Sequence, residues 1–134
     1  MIQNLFPNIG VKNLEKSRSF FEALGFHFNE QFSNEKTACL VLGEHQFVMM
    51  LTPDFMKAYT HKTINYGQES TEVLMSCMLE SKEEVNSIVD KAIQLGAKEY
   101  NPANDLGFMY TRVFEDLDGH QWEWGWMNSK DVEA

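Results

Sequence analysis

The side chains able to do chemistry in this chain of 134 residues are few and scattered. Glu123 stands out, set between tryptophans in Gln121-Trp122-Glu123-Trp124, directly after Asp118-Gly119-His120. On an extended strand Trp122, Trp124 and Trp126 point one way, and Gln121, Glu123 and Gly125 the other. The tryptophans are expected to pack under a helix, which turns Glu123 to the opposite face. A carboxylate buried there needs a partner, because an unpaired buried charge is costly. If the preceding hairpin closes on an even loop, Tyr110 and Arg112 share that face. A Glu123–Arg112 ion pair is therefore expected. It is either structural or an acid/base device with Glu123 assisted by Arg112 or Tyr110.

Nothing else completes a catalytic set. His27, His45, His61 and His120 do not cluster by spacing, and no Ser-His-Asp order, nucleophile elbow or phosphate-cradling glycine loop is present. Cys39 and Cys77 lie far apart in apolar stretches without a Cys-x-x-Cys, so both read as buried free thiols. The net charge of −9, from 20 acidic and 11 basic residues, would repel a phosphate backbone, and no nucleic-acid partner is expected. No apolar run approaches the roughly 18 residues of a membrane helix. The N-terminal residues Met1–Pro7 show no signal-peptide pattern. The expectation is a cytoplasmic protein without a membrane partner.

The elements that would position these residues come in two copies. Leu14, Ser17, Phe20, Phe21 and Leu24 share one helical face, with Asn13 as N-cap and Gly25 as stop. Val85, Ile88, Val89, Ala92 and Leu95 repeat the stripe, with Ser81 to Glu84 as a capping box and Gly96 as stop. An apolar strand precedes each helix, at residues 5–12 and 73–80. Strand-like runs follow at residues 26–32, 37–42 and 46–51 in the first half, and at 98–100, 108–115 and 121–126 in the second. The last two runs of each half flank a Gly turn that leads into His45-Gln46-Phe47 or His120-Gln121-Trp122. Thr52-Pro53 suggests a short helix through Lys57 within the connector, which Phe55, Met56 and Tyr59 would make either a packed segment or a lid. The polar tail Asn128–Ala134 is expected to fray.

Paired strand–helix–strand–strand–strand modules resemble the vicinal oxygen chelate superfamily, the group of glyoxalase I, bleomycin-resistance proteins, fosfomycin-resistance enzymes and extradiol dioxygenases. The carrying residues are Val11-Lys12-Asn13-Leu14-Glu15-Lys16-Ser17, Phe20-Phe21, Leu24-Gly25-Phe26 and Asp116-Leu117-Asp118-Gly119-His120. The resemblance implies four inward positions that carry His, Glu or Gln ligands in metal-dependent members. One falls on Glu123 and matches. The others fall on Phe6, Leu74 and Val48, with Met49 or Met50 as alternatives to Val48 if the register shifts. One carboxylate does not make a zinc, magnesium or manganese site, so no metal and no other cofactor is expected.

The expected fold is α+β: two tandem βαβββ modules in a single domain, whose curved mixed sheets enclose a cleft. Module one covers about 1–52, the connector about 53–71 and module two about 72–128. The expected function is metal-free binding of a small, partly apolar molecule in that cleft. Its ligand-facing residues would be Phe6, Asn8, Val48, Met50, Leu74, Ser76, Met78, Tyr110, Arg112 and Glu123. A lyase or isomerase using Glu123 is the alternative, metal-dependent if the ligand positions are misassigned. The resemblance also implies a homodimer.

Overall fold

A computed structural model describes residues 1–130. The last part of the tail expected to fray, residues 131–134, lies outside the described residues. The chain divides into two compact units, Met1–Ser70 and a second that begins at Thr71.

The first unit runs β1 (Asn8–Gly10), α1 (Leu14–Ala23), β2 (His27–Asn29), β3 (Thr37–Gly43), β4 (Gln46–Leu51) and α2 (Pro53–Lys57). Its mixed sheet has the order β1-β4-β3-β2, with β1 and β4 parallel and the other pairs antiparallel. The helix begins where the sequence places it. The Asn13 side chain accepts from Lys16 N at 3.0 Å. Beyond the C-terminus, Gly25 takes the left-handed conformation at φ 101°, which a Cβ would resist. Leu14, Ser17, Phe20 and Phe21 are the buried stripe of α1. They cover a sheet face on which Ile9, Phe28, Ala38, Leu40, Val48 and Met50 are buried.

The second unit runs β5 (Leu74–Met78), α3 (Lys82–Gln94), β6 (Asn104–Asp105), β7 (Met109–Glu115) and β8 (Gln121–Met127). The sheet order β5-β8-β7-β6 reproduces the first, again with the helix-linked strand parallel to the last one. Ser81 caps α3 by accepting from Glu84 N at 3.1 Å. Glu84 returns a bond to Glu80 N at 2.9 Å, one residue before the usual capping-box partner. Trp122 and Trp124 are fully buried on the α3 side and stack at 5.8 Å, with Phe114 5.9 Å from Trp124. Truncating either indole to Ala would cost about 3–5 kcal/mol.

Several strands are shorter than expected, for local reasons. Pro7 has no N–H to donate, so β1 begins at Asn8 and only an isolated bridge, Leu5 with Gln46, lies upstream. The Asn29 side chain accepts from Gln31 N at 3.0 Å and turns the end of β2 into a single 3₁₀ turn, Glu30–Phe32. The run at residues 98–100 contributes only a bridge, Lys98 with Glu115. β6 forms farther on, beyond Pro102. Among the described residues, no helix is long and apolar enough to cross a membrane.

Candidate functional site

In the second unit the face opposite α3 is the face of Glu123. Its cross-strand partner on β7 is Val113 and its partner on β5 is Ser76. Ser76 Oγ donates to Glu123 Oε1 at 2.9 Å. Burial pushes the Tyr100 phenol up from its ordinary pKa, and the carboxylates of Glu123 and Glu115 add to the shift. Tyr100 and Glu115 are members of this cluster that sequence reasoning missed. The Lys98–Glu115 bridge that sets their register is a single pairing between distant segments, and no local pattern announces it. Leu74 and Met78 lie on the same strand as Ser76 and are exposed. The Met78 side chain lies over Gly125, where an added Cβ would meet its Sδ at 3.0 Å.

Arg112 is not in this cluster, which corrects the expected pair. The turn between β7 and β8 holds five residues, Asp116 to His120, so Glu115 faces Gln121 and Arg112 faces Trp124. An odd loop reverses the face that an even loop would have given. Asp116 imposes that length. Its Oδ1 accepts from the N–H groups of Asp118, Gly119 and His120 at 3.0, 3.1 and 3.0 Å. Its Oδ2 accepts from Trp122 Nε1 at 3.0 Å. Arg112 and Tyr110 therefore sit on the helix side. Arg112 Nε and Nη2 donate to Glu99 at 2.9 and 3.0 Å, and Nη1 donates to Asp90 and Asn86 at 2.8 and 3.0 Å. These bonds, led by those to Glu99, raise the guanidinium pKa above its ordinary value. Tyr110 Oη donates to Asn86 Oδ1 at 2.7 Å. The set is a structural knot that fastens β7 to α3.

A second correction concerns the first unit. Asn8 is registered with Met49 and Gly10 with Leu51. Val48 and Met50, expected to face a ligand, are instead 1% and 0% exposed on the α1 side. The resemblance of His45-Gln46-Phe47 to His120-Gln121-Trp122 is out of step by one residue. The first hairpin is tighter, with Gly43 paired to Gln46 and a bulge between Val41 and Gly43. Met49, not Val48, is thus the counterpart of Glu123. Phe6 stacks on Phe47 at 4.8 Å between ring centres.

The positions at which the resemblance places metal ligands are therefore Phe6 and Met49 in one unit, and Leu74 and Glu123 in the other. A phenyl ring, a thioether, an isobutyl group and one carboxylate are not a donor set for zinc, magnesium or manganese. The residues present do not fit a metal. Among the described residues, no three His, Cys, Asp or Glu side chains are grouped to hold one.

A concavity lies in the first unit, on the sheet face opposite α1. It is a cavity of about 570 Å³ with a floor of Asn8, Thr37, Met49 and Leu51. Its roof is α2 and the turn after it: Phe55, Met56, Tyr59 and Thr60. The roof is held closely. A Cβ on Gly10 would lie 2.9 Å from Met56 Sδ, 3.1 Å from the Tyr66 ring and 3.2 Å from Ile64, so the connector packs directly onto this glycine. Lys12 Nζ donates to Gln68 Oε1 at 2.9 Å and sits 5.8 Å from the Tyr66 ring centre. Phe55 and Tyr59 meet edge to face at 5.2 Å. No lining side chain carries a charge at neutral pH. Asn8 Nδ2 donates to Phe6 O at 2.7 Å. The Thr37 hydroxyl is buried and has no hydrogen-bond partner.

Comparison with known proteins agrees with this architecture. Residues 3–43 match the model of the bleomycin resistance protein-like N-terminal family. The hypothetical protein SA1046 from S. aureus superposes with a TM-score of 0.79 at 28% identity, over 92% of this chain and 93% of that one. A glyoxalase/bleomycin resistance protein/dioxygenase family enzyme from Burkholderia phytofirmans PsJN gives 0.74 at 18% identity, over 91% and 96%. The genomically encoded fosfomycin resistance protein FosX from Listeria monocytogenes gives 0.70 at 20% identity, over 100% and 96%. No curated protein matches the chain.

Proposed function

We propose that this chain, which has the glyoxalase and bleomycin-resistance fold of the vicinal oxygen chelate superfamily, binds a small, partly apolar molecule without a metal. The observation that carries this reading is the cavity of about 570 Å³ between the first unit's sheet and α2. Its volume lies within the range of small-molecule sites, roughly 300–1,000 Å³, and it combines apolar walls with a few polar groups. Met49 and Met56 give it an adaptable lining. The unfit donor set argues against the metal-dependent chemistry of the superfamily.

Two measurements test the proposal. Native mass spectrometry of freshly purified protein would reveal a retained small molecule. Titration with N-phenyl-1-naphthylamine, an uncharged fluorescent probe, should give saturable, blue-shifted emission that EDTA leaves unchanged. Met49→Trp, which fills the floor at a half-buried position, should weaken it at least tenfold. Absence of saturable binding, or equal binding by Met49→Trp, would contradict the reading.

An enzymatic role rests on the cluster of Glu123, Ser76 and Tyr100. Arg112 takes no part in it. Turnover of a candidate substrate by wild type but not by Glu123→Gln would favour a lyase or isomerase over a binding protein. A homodimer belongs to the same proposal, supported by exposed Val73, Leu74 and Met78 at or beside the edge strand β5. Sedimentation at micromolar concentration checks it.

A further inference from the structure

The roof of the cavity is attached more weakly than its floor. α2 has five residues, none of them buried, and the side chain of its N-cap, Thr52, makes no capping bond. A helix this short has no stability of its own in water, and elements with few buried contacts open first. Thr52 N donates to Lys36 O at 2.9 Å and fixes the start of the segment to the sheet. Beyond α2 the chain runs without helix or strand as far as β5, and irregular stretches of that length in compact proteins are usually functional. This stretch bonds within itself, Lys62 N to Thr60 Oγ1 at 3.0 Å and Gly67 N to Asn65 Oδ1 at 2.8 Å. By contrast β4, which carries Met49 and Leu51 in the floor, is paired on both sides.

Two contacts draw this segment down. At Gly10, on β1, the missing side chain leaves room for Met56, Ile64 and Tyr66, each within 3.2 Å of where a Cβ would stand. Met56 also lines the cavity, so one side chain both seats the segment and closes the space. The second contact is made by Lys12, which is exposed between β1 and α1. Its Nζ donates to Gln68 Oε1 at 2.9 Å and lies 5.8 Å from the Tyr66 ring centre. Lys12 thus ties the far end of the segment to the chain beside Gly10. Exposed contacts of this kind are individually weak, so they break and re-form readily.

We infer that residues 53–68 are a strap that gates the cavity, and that Lys12 is the latch that keeps the strap closed. This deepens the binding reading above and rests on it. Lys12 is not a lining residue of the cavity. It acts through Gln68 and Tyr66 and is therefore a positioning residue. The strap closes over the free and the occupied cavity alike, so loss of the latch raises the open fraction of both forms by the same factor. A small molecule then enters and leaves faster by that factor, and its affinity stays the same. A residue that merely formed part of the wall would change affinity through the dissociation rate and leave the association rate alone.

Stopped-flow mixing with N-phenyl-1-naphthylamine reads both rates. Lys12→Met keeps the apolar stem and removes the charge and the donor. It should raise the association and dissociation rates each about three- to tenfold, the effect of one exposed hydrogen bond and one cation–π contact, with Kd held to within about twofold. Lys12→Arg, which keeps a charge and a donor, should show wild-type rates. Amide exchange of the wild type is the second measurement. Met56, Ala58 and Tyr59 should exchange at least about 100-fold faster than Val11 and Met49, whose N–H groups bond to Leu51 O and Pro7 O. Saturating probe, which touches the roof, should slow the first three. The inference is overturned if Lys12→Met leaves both rates unchanged, if its dissociation rate rises alone, or if α2 exchanges as slowly as β4. In each of those outcomes the probe still binds and Met49→Trp still weakens it, so the binding reading survives. Absence of saturable binding would remove both.

Discussion

Replacing Arg112 by Met removes the guanidinium that ties β7 to α3 while keeping most of the apolar stem. Two charge-assisted bonds to Glu99, at 2.9 and 3.0 Å, are lost together with those to Asp90 and Asn86. The Arg112 and Glu99 side chains are 11% and 25% exposed, whereas Asp90 is 62% exposed. The Asp90 pair therefore contributes little, because solvent screens it. Stranding a fully buried charge costs about 3–5 kcal/mol. Glu99 can recover part of its hydration, so a loss of about 2–4 kcal/mol is expected for Arg112→Met. The assay is urea unfolding of the single and double variants, with an unchanged m-value as the check on two-state behaviour. Arg112→Met and Glu99→Gln should be strongly non-additive, by about 1–3 kcal/mol. Arg112→Met and Glu123→Gln should add to within about 0.5 kcal/mol, because they lie on opposite faces of the sheet. A coupling above 1 kcal/mol between Arg112 and Glu123, or none between Arg112 and Glu99, would refute the register and the face assignment drawn from it.

Asp116→Asn keeps Oδ1 for the three backbone donors but places an amide N–H₂ against Trp122 Nε1. A loss of about 2–4 kcal/mol in unfolding free energy is expected, and a change below 0.5 kcal/mol would show that the turn does not depend on this residue. Burial raises the Cys77 thiol from 9.0 to about 11. Its thiolate fraction at pH 8 is then about 100-fold below that of an unshifted thiol. Its reaction with a disulfide reagent in the native protein should be slower by that factor, and labelling at the rate of a free thiol would contradict the burial.

The fold was legible because its signals are local. Asn13 and Ser81 announce helix starts, Gly25 and Gly96 announce stops, and the stripes between them have one period throughout. The alternation of Trp122, Trp124 and Trp126 was equally readable, since a strand has only two faces. Register was not, because it turns on the parity of a loop. Whether five residues or four separate β7 from β8 depends on how many N–H groups Asp116 gathers, and the sequence does not display that number. The same difficulty misplaced Val48 for Met49. The cavity was hidden for another reason. It depends on Met56, Ile64 and Tyr66 closing over Gly10 from more than forty residues away, and a glycine in a strand shows only that something approaches closely.

The first unit is expected to hold an uncharged small molecule between its sheet and α2 without a metal. Methionine-methyl NMR reports on that space directly, since Met49 and Met56 line it while Met127 ends β8 in the second unit. Protein labelled at the methionine methyl carbons and freed of divalent ions with EDTA would be titrated with 6-propionyl-2-(dimethylamino)naphthalene. Saturable shifts of the Met49 and Met56 signals, with Met127 unmoved, are the predicted result. Shifts that spare both Met49 and Met56, or that occur only after a divalent metal is restored, would contradict the account.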